Sequence, residues 1–382
     1  MKKSFFSKII ALALAVVVGL FTIGCVETPP PENPYGEIKN IILIIGDGMG
    51  VEHISAGEIY EGKKYDFTSW KYVSSNTNSI DILGKQMNIT TDSAAGGTAL
   101  ATGNLTTNYS VGKDRLGYDL TTIMDYALAQ GKKTGVVTTD YLNGATPAAF
   151  TAHANDRNDT ADIVNTQITS GVNLLCGRVS SSYDGKQSVV ESNGYSYCTD
   201  YSQIENSKQG DKAFWMFDMA GVSASVSLAQ ATAHAIEYLD NEKGFVLMVE
   251  EAWIDKYSHD NDINGTVKSV KSLNDTVQTV MDWIGDRKDT AVLVTADHET
   301  GGLNASATMQ NVTTKIDTLN GSKLYYKWNS EDHTNAKVGL FVYGINPDYS
   351  TMSFYKSSHL IKNINVFNVM YELLYNGNAY AQ

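Results

Sequence analysis

The sequence predicts an α/β fold: a doubly wound, mostly parallel sheet with helices on both faces and short loop insertions. Three observations carry that reading. Five short runs are continuously apolar and rich in β-branched residues, the stretches between them repeat apolar residues at helical spacing, and acidic or imidazole residues stand where several runs end. Strands that alternate with helices are covered on two faces, so they read as unbroken apolar runs.

The chain opens on a targeting segment. Lys2, Lys3 and Lys8 precede an apolar run from Ile9 to Ile23, at about fifteen residues too short for the roughly twenty that span a membrane. Residues 1–24 therefore read as a signal peptide, and the protein is expected to be exported to the cell envelope. Thr22-Ile23-Gly24-Cys25 resembles the lipobox of bacterial lipoproteins, with Thr22 where Leu is usual. On that reading Cys25 carries a lipid anchor, the only membrane contact expected; plain cleavage near Gly24 is the alternative. Residues 25–38, with Pro29, Pro30 and Pro31, form an extended tether. Residues 39–382 are long enough for one large α/β domain.

Within that domain the strand-like runs are residues 40–45, 133–138, 244–249, 290–295 and 337–343. Val267, Val270, Leu273, Val277, Val280 and Ile284 make one helical stripe; Ile364, Phe367, Met370 and Leu374 make another. Residues 179–211 and 301–331 are polar and read as insertions near a site's rim. The formal charge of −13 argues against nucleic acid as a partner, whose phosphates need basic patches. It does not exclude a small phosphate substrate, because bound cations would set the local field. Cys176 and Cys198 either close a loop or stay free, and neither stands at metal-ligand spacing.

The polar residues converge. Asp47 follows the first run, Glu250 ends the third, and Asp297 and His298 end the fourth; ligands of open α/β sheets bind outside the carboxyl ends of the strands. Asp255 and His259 are four residues apart, so on a helix they face one point suited to Zn²⁺, with His333 as a third ligand. Asp297, His298 and Asp47 would hold a second zinc. Thr146 and Glu250 offer hard oxygens better suited to Mg²⁺. Ser93 begins a helix of small residues; it is either a plain cap or a nucleophile activated by a metal. Arg157, placed one helical turn past His153, offers a fork for two phosphate oxygens. His53, His234 and His359 read as structural or surface residues.

These residues resemble the alkaline phosphatase family, from about Ile41 to the C-terminus. The resemblance rests on Ile45-Gly46-Asp47-Gly48-Met49-Gly50, Thr91-Asp92-Ser93-Ala94-Ala95, Ala145-Thr146-Pro147-Ala148-Ala149 with Arg157, Val249-Glu250 through Asp255 to His259, Thr295-Ala296-Asp297-His298-Glu299-Thr300, and His333-Thr334. It implies that Ser93 becomes phosphorylated and that Arg157 clamps the phosphate. One zinc would be held by Asp255, His259 and His333, the other by Asp47, Asp297 and His298 with Ser93 reaching it. Asp47, Thr146 and Glu250 would hold Mg²⁺, and Lys256 would reach phosphate through water. The expected reaction is hydrolysis of small-molecule phosphate monoesters to inorganic phosphate and an alcohol, and the resemblance leaves room for a homodimer. Two places depart from the family pattern: Asn143-Gly144, where relatives often carry an Asp or His, and Ser258, where an acid is common. Competing readings are a phosphodiesterase of the same superfamily and a metal- or ligand-binding lipoprotein without turnover. A sulfatase would need a Cys/Ser-x-Pro-x-Arg context, which Ser93 lacks.

Overall fold

The computed structural model describes residues 38–85, 89–207, 210–308, 314–345 and 360–375. The leader, Cys25, the tether as far as residue 37 and His359 lie outside them; Ile38, assigned to the tether from the sequence, is instead buried in the core. The first eight strands in chain order are β1 (Asn40–Gly46), β2 (Lys71–Asn76), β3 (Lys133–Tyr141), β4 (Leu174–Arg178), β5 (Tyr195–Cys198), β6 (Lys212–Phe217), β7 (Phe245–Glu251) and β8 (Thr290–Thr295). Five short strands follow: β9 (Glu299–Thr300), β10 (Asn304–Ser306), β11 (Lys315–Asp317), β12 (Lys323–Lys327) and β13 (His333–Thr334). β14 (Val338–Tyr343) and β15 (Leu360–Lys362) complete the set.

Ten strands form the main sheet, in the order β15-β2-β14-β8-β1-β7-β3-β4-β6-β5. Neighbours are parallel throughout, except that β14 runs antiparallel to both β8 and β2. β1 shows why the sheet is doubly wound. Its Ile41, Leu43 and Ile45 join one buried cluster and its Ile42 and Ile44 the other, as the two-residue period of a strand requires. The helix Ile263–Ile284 covers the second face and buries the whole predicted stripe from Val267 to Ile284. The helix Ile364–Leu374 covers the first with Phe367, Met370 and Leu374.

All five predicted runs are strands, but residues 337–343 are not parallel to their neighbours. The chain leaves β8 at its carboxyl end, passes through short strands, and enters β14 without a crossover helix to carry it back. A strand entered from that end must run the opposite way. Its composition is still that of a buried strand, because burial and not direction sets composition.

The polar stretch 179–211 contains the edge strand β5, whose outer side faces no partner strand, so its Ser and Tyr content fits. Residues 301–331 contain a three-stranded antiparallel sheet, β10-β12-β11. Cys176 and Cys198 are both buried and free. Each stands opposite Trp215 of the intervening β6, two strand spacings apart and beyond the roughly 7 Å reach of a disulfide. Among the described residues no helix is long and apolar enough to cross a membrane.

Candidate active site

β7, β1 and β8 lie side by side in register, with Ile45 opposite both Glu250 and Thr295. Their carboxyl ends are therefore level, and Asp47, Glu250 and Asp297 leave from the same edge. The turn after β1 needs Gly48, whose φ is +72°. A Cβ there would sit 2.7 Å from Thr300 Oγ1 and 2.9 Å from Asp255 Cα. The glycine brings backbone against both partners, and Gly48 N donates to Asp297 Oδ1 at 3.3 Å.

Asp255 and His259 lie on the helix Trp253–His259, and His333 reaches them from β13. Asp255 Oδ1 is 3.4 Å from His259 Nε2 and 3.5 Å from His333 Nε2, and the two ring nitrogens are 3.1 Å apart. His259 Nδ1 faces the Glu331 carbonyl at 2.5 Å and His333 Nδ1 faces the Thr91 carbonyl at 2.8 Å. A carbonyl can only accept, so both Nδ1 atoms donate, and in the neutral rings both Nε2 atoms are left as acceptors. Two imidazole lone pairs and a carboxylate oxygen thus converge without a donor among them, an arrangement that fits a soft divalent cation.

The second cluster repeats this logic. The Thr300 hydroxyl donates to Asp255 Oδ1 at 2.5 Å and stands 3.3 Å from His298 Nδ1. With its proton committed, Thr300 accepts from Nδ1, and Nε2 is again an acceptor. That nitrogen lies 3.4 Å from Asp47 Oδ1 and 3.2 Å from Asp297 Oδ2, two buried oxygens with no hydrogen-bond donor. Burial, then His333, Arg157 and His259, push the His298 pKa well down, so the ring is neutral. Burial and then Asp255 push Asp297 up to about 7, while burial, Asp297 and Asp255 raise Asp47. Carboxylates packed this closely in a buried cleft suit a site that takes a cation. His298 also stacks on His333 with ring centroids 3.6 Å apart, so the two clusters adjoin.

Ser93 is the first residue of the helix Ser93–Thr102, and Asp92, not Ser93, caps it by accepting from Ala95 N at 3.0 Å. The serine hydroxyl is thereby released from capping and lies 3.2 Å from His298 Nε2. Asp92 also accepts from Arg157 Nη1 at 3.2 Å. Burial opposes the Arg157 charge, but Asp92, with Asp47 and Asp140 behind it, outweighs this and raises its pKa.

The expected helical placement of Arg157 does not hold. The helix Ala145–Thr151 ends first, because Ala154 and Val111 bond each other's backbones and Arg157 N donates to the Tyr109 carbonyl at 2.8 Å. The loop, not a helix, sets the guanidinium beside Ser93's helix.

Glu250 accepts from the Thr138 hydroxyl. Its pKa rises to about 8 through burial first and then Asp140, with Thr138 and Thr146 side chains working the other way. Lys256 Nζ pairs with Asp140 Oδ1 at 3.1 Å; Lys256 is raised although burial opposes it, with Asp140 and Asp47 prevailing. The residues proposed from the sequence as metal ligands, with Ser93, Arg157 and Lys256, thus gather at this edge, and three partners were missed. Asp92 adjoins Ser93, Thr300 lies in the same motif as Asp297, and Asp140 ends β3. The strand-end rule that found Asp47 and Glu250 applies equally to Asp140. Ser258 is a packing residue, its hydroxyl donating to the Ile254 carbonyl at 2.6 Å beside His53.

A mostly parallel sheet that gathers a serine, an arginine and two carboxylate–histidine clusters at one edge defines a class: α/β proteins with candidate metal sites at the carboxyl ends of their strands. The alkaline phosphatase family description matches residues 38–178 and 186–357. The chain belongs to the alkaline phosphatase family, and it is a phosphatase enzyme. It is 32% identical over 324 residues to Alkaline phosphatase 4 of Bacillus subtilis strain 168, covering 79% of this chain and 67% of that one. Against the alkaline phosphatase of Escherichia coli K12 the identity is 27%, over 80% and 81% of the two chains. Its fold matches the cold-active alkaline phosphatase of the psychrophile Shewanella sp., with a TM-score of 0.76, 25% identity, and 88% and 99% coverage. The chain spans about two thirds of the length of the Bacillus relatives.

Proposed function

We propose that this chain hydrolyses small-molecule phosphate monoesters through a phosphoserine formed on Ser93. The observation that carries this reading is the placement of the Ser93 hydroxyl, 3.2 Å from a neutral His298 that faces the unpaired oxygens of Asp47 and Asp297. Ser93 Oγ attacks phosphorus, its O–P bond forms as the ester O–P bond breaks, and the hydroxyl proton, released to solvent, is balanced by the one the leaving oxygen takes up as the alcohol departs. Water then attacks the phosphoserine from the vacated side, releasing inorganic phosphate and restoring the serine. Arg157, fixed by Asp92, binds two phosphate oxygens, and Lys256 supports the same charge. The helix N-terminus at Ser93 adds its N–H dipoles toward the phosphate.

Asp255, His259 and His333 suit one zinc, and Asp47, Asp297 and His298 with Ser93 suit another. Asp47, Thr146 and Glu250 suit Mg²⁺. When bound, these cations would lower the serine pKa and neutralise charge on the attacking and leaving oxygens. The leader and Cys25 support an exported enzyme tethered to the membrane by lipid.

The test is turnover of p-nitrophenyl phosphate beside bis-p-nitrophenyl phosphate by metal-loaded protein lacking the leader. Dominant monoester turnover supports the proposal; preference for the diester would move the chain to the phosphodiesterases.

A further inference from the structure

Asp140 stands outside every role assigned above, yet the backbone fixes it at the heart of the site. Its N–H donates to Thr138 Oγ1 at 2.9 Å, and that hydroxyl donates to Glu250. Its Oδ1 faces Lys256 Nζ at 3.1 Å. Its Oδ2 lies over Gly144, where an added Cβ would sit 2.6 Å from that oxygen and 2.9 Å from the Tyr141 carbonyl oxygen. Gly144 has φ −61°, a value open to any residue, so the glycine is there for room and not for conformation. The carboxylate of residue 140 and the Tyr141 carbonyl together leave no room for a side chain at position 144.

Lys256 needs such a partner. Its ammonium sits on a flexible four-carbon stem, and Asp47 and Glu250 also attract it. Unrestrained, it would fold onto the carboxylates that face the cation sites. We propose that Asp140 is a positioning residue, holding the Lys256 ammonium toward the bound phosphate and away from Asp47 and Glu250. The inference rests on the phosphatase reading.

A double-mutant cycle on the metal-loaded chain tests it, using wild type, Asp140→Asn, Lys256→Ala and the pair. Calorimetry reads the affinity for inorganic phosphate, atomic emission reads zinc content, and thermal unfolding reads the fold. Asp140→Asn should weaken phosphate binding roughly tenfold at unchanged zinc content, and less than about twofold in the Lys256→Ala background. Equal losses of Asp140→Asn in both backgrounds, or wild-type affinity in Asp140→Asn, would overturn the proposal. Binding is read without turnover, so a wild-type chain that hydrolyses no monoester would count against the phosphatase reading alone.

Discussion

At the scale of single residues, the site depends on which atoms are relieved of other duties. Ser93 can serve as a nucleophile because Asp92 does the capping, and His298 presents a bare Nε2 because Thr300 engages its Nδ1. Ser93→Ala should lower kcat on p-nitrophenyl phosphate by roughly a thousandfold or more, since it removes the group proposed to form the covalent bond. Zinc content should hold, because Asp47, Asp297 and His298 remain; steady-state kinetics beside metal analysis checks both. Arg157→Ala should cost about 2–3 kcal/mol of transition-state stabilisation, the range for removing one partner of a charge-assisted pair. That loss is read as kcat/KM, and Arg157→Lys should recover little of it, because an ammonium cannot make the two-pronged contact.

At the scale of elements, the long helix Ile263–Ile284 supports the floor of the site. Leu273 is fully buried, and its Cδ1 would lie 2.9 Å from a Cβ at Gly46, just before Asp47. Leu273→Ala should destabilise the fold by about 2–5 kcal/mol through the cavity it leaves, measured by urea unfolding. This helix was legible because its stripe has a clean helical period, and the central strands because they are apolar on both faces. β2, β4, β5, β6 and β15 were not read from the sequence. β5 and β15 lie at the sheet's edges, where one side needs no apolar cover, and β4 and β6 contain none of the β-branched residues that mark β1, β7 and β8. The site was read more completely than the fold. Metal-ligand chemistry restricts residue type and spacing, whereas Asp140, Asp92 and Thr300 act on other side chains and bear no such mark. The Arg157 loop was misread because its end is set by the distant backbone of Tyr109 and Val111.

At the scale of the whole molecule, burying several carboxylates and histidines in one cleft costs stability unless cations are present. Glu250 has a folded pKa of about 8 against an ordinary 4.5. A raised carboxylate favours the fold while protonated, so that contribution is lost as pH rises through about 8. Metal-free protein should therefore lose stability between pH 7 and 9, a window in which exposed histidines are already largely neutral. Added zinc and magnesium should restore more stability at pH 9 than at pH 7. Thermal unfolding with and without chelator at both pH values checks this, and a metal effect that shrinks with pH would refute it.

The central claim is that phosphoryl transfer passes through Ser93, and the most direct measurement is mass spectrometry of the protein quenched in acid during turnover. The account predicts phosphate on the peptide containing Ser93 in the wild type and no labelled peptide in Ser93→Ala. Turnover with phosphate on another residue, or undiminished turnover by Ser93→Ala, would contradict it.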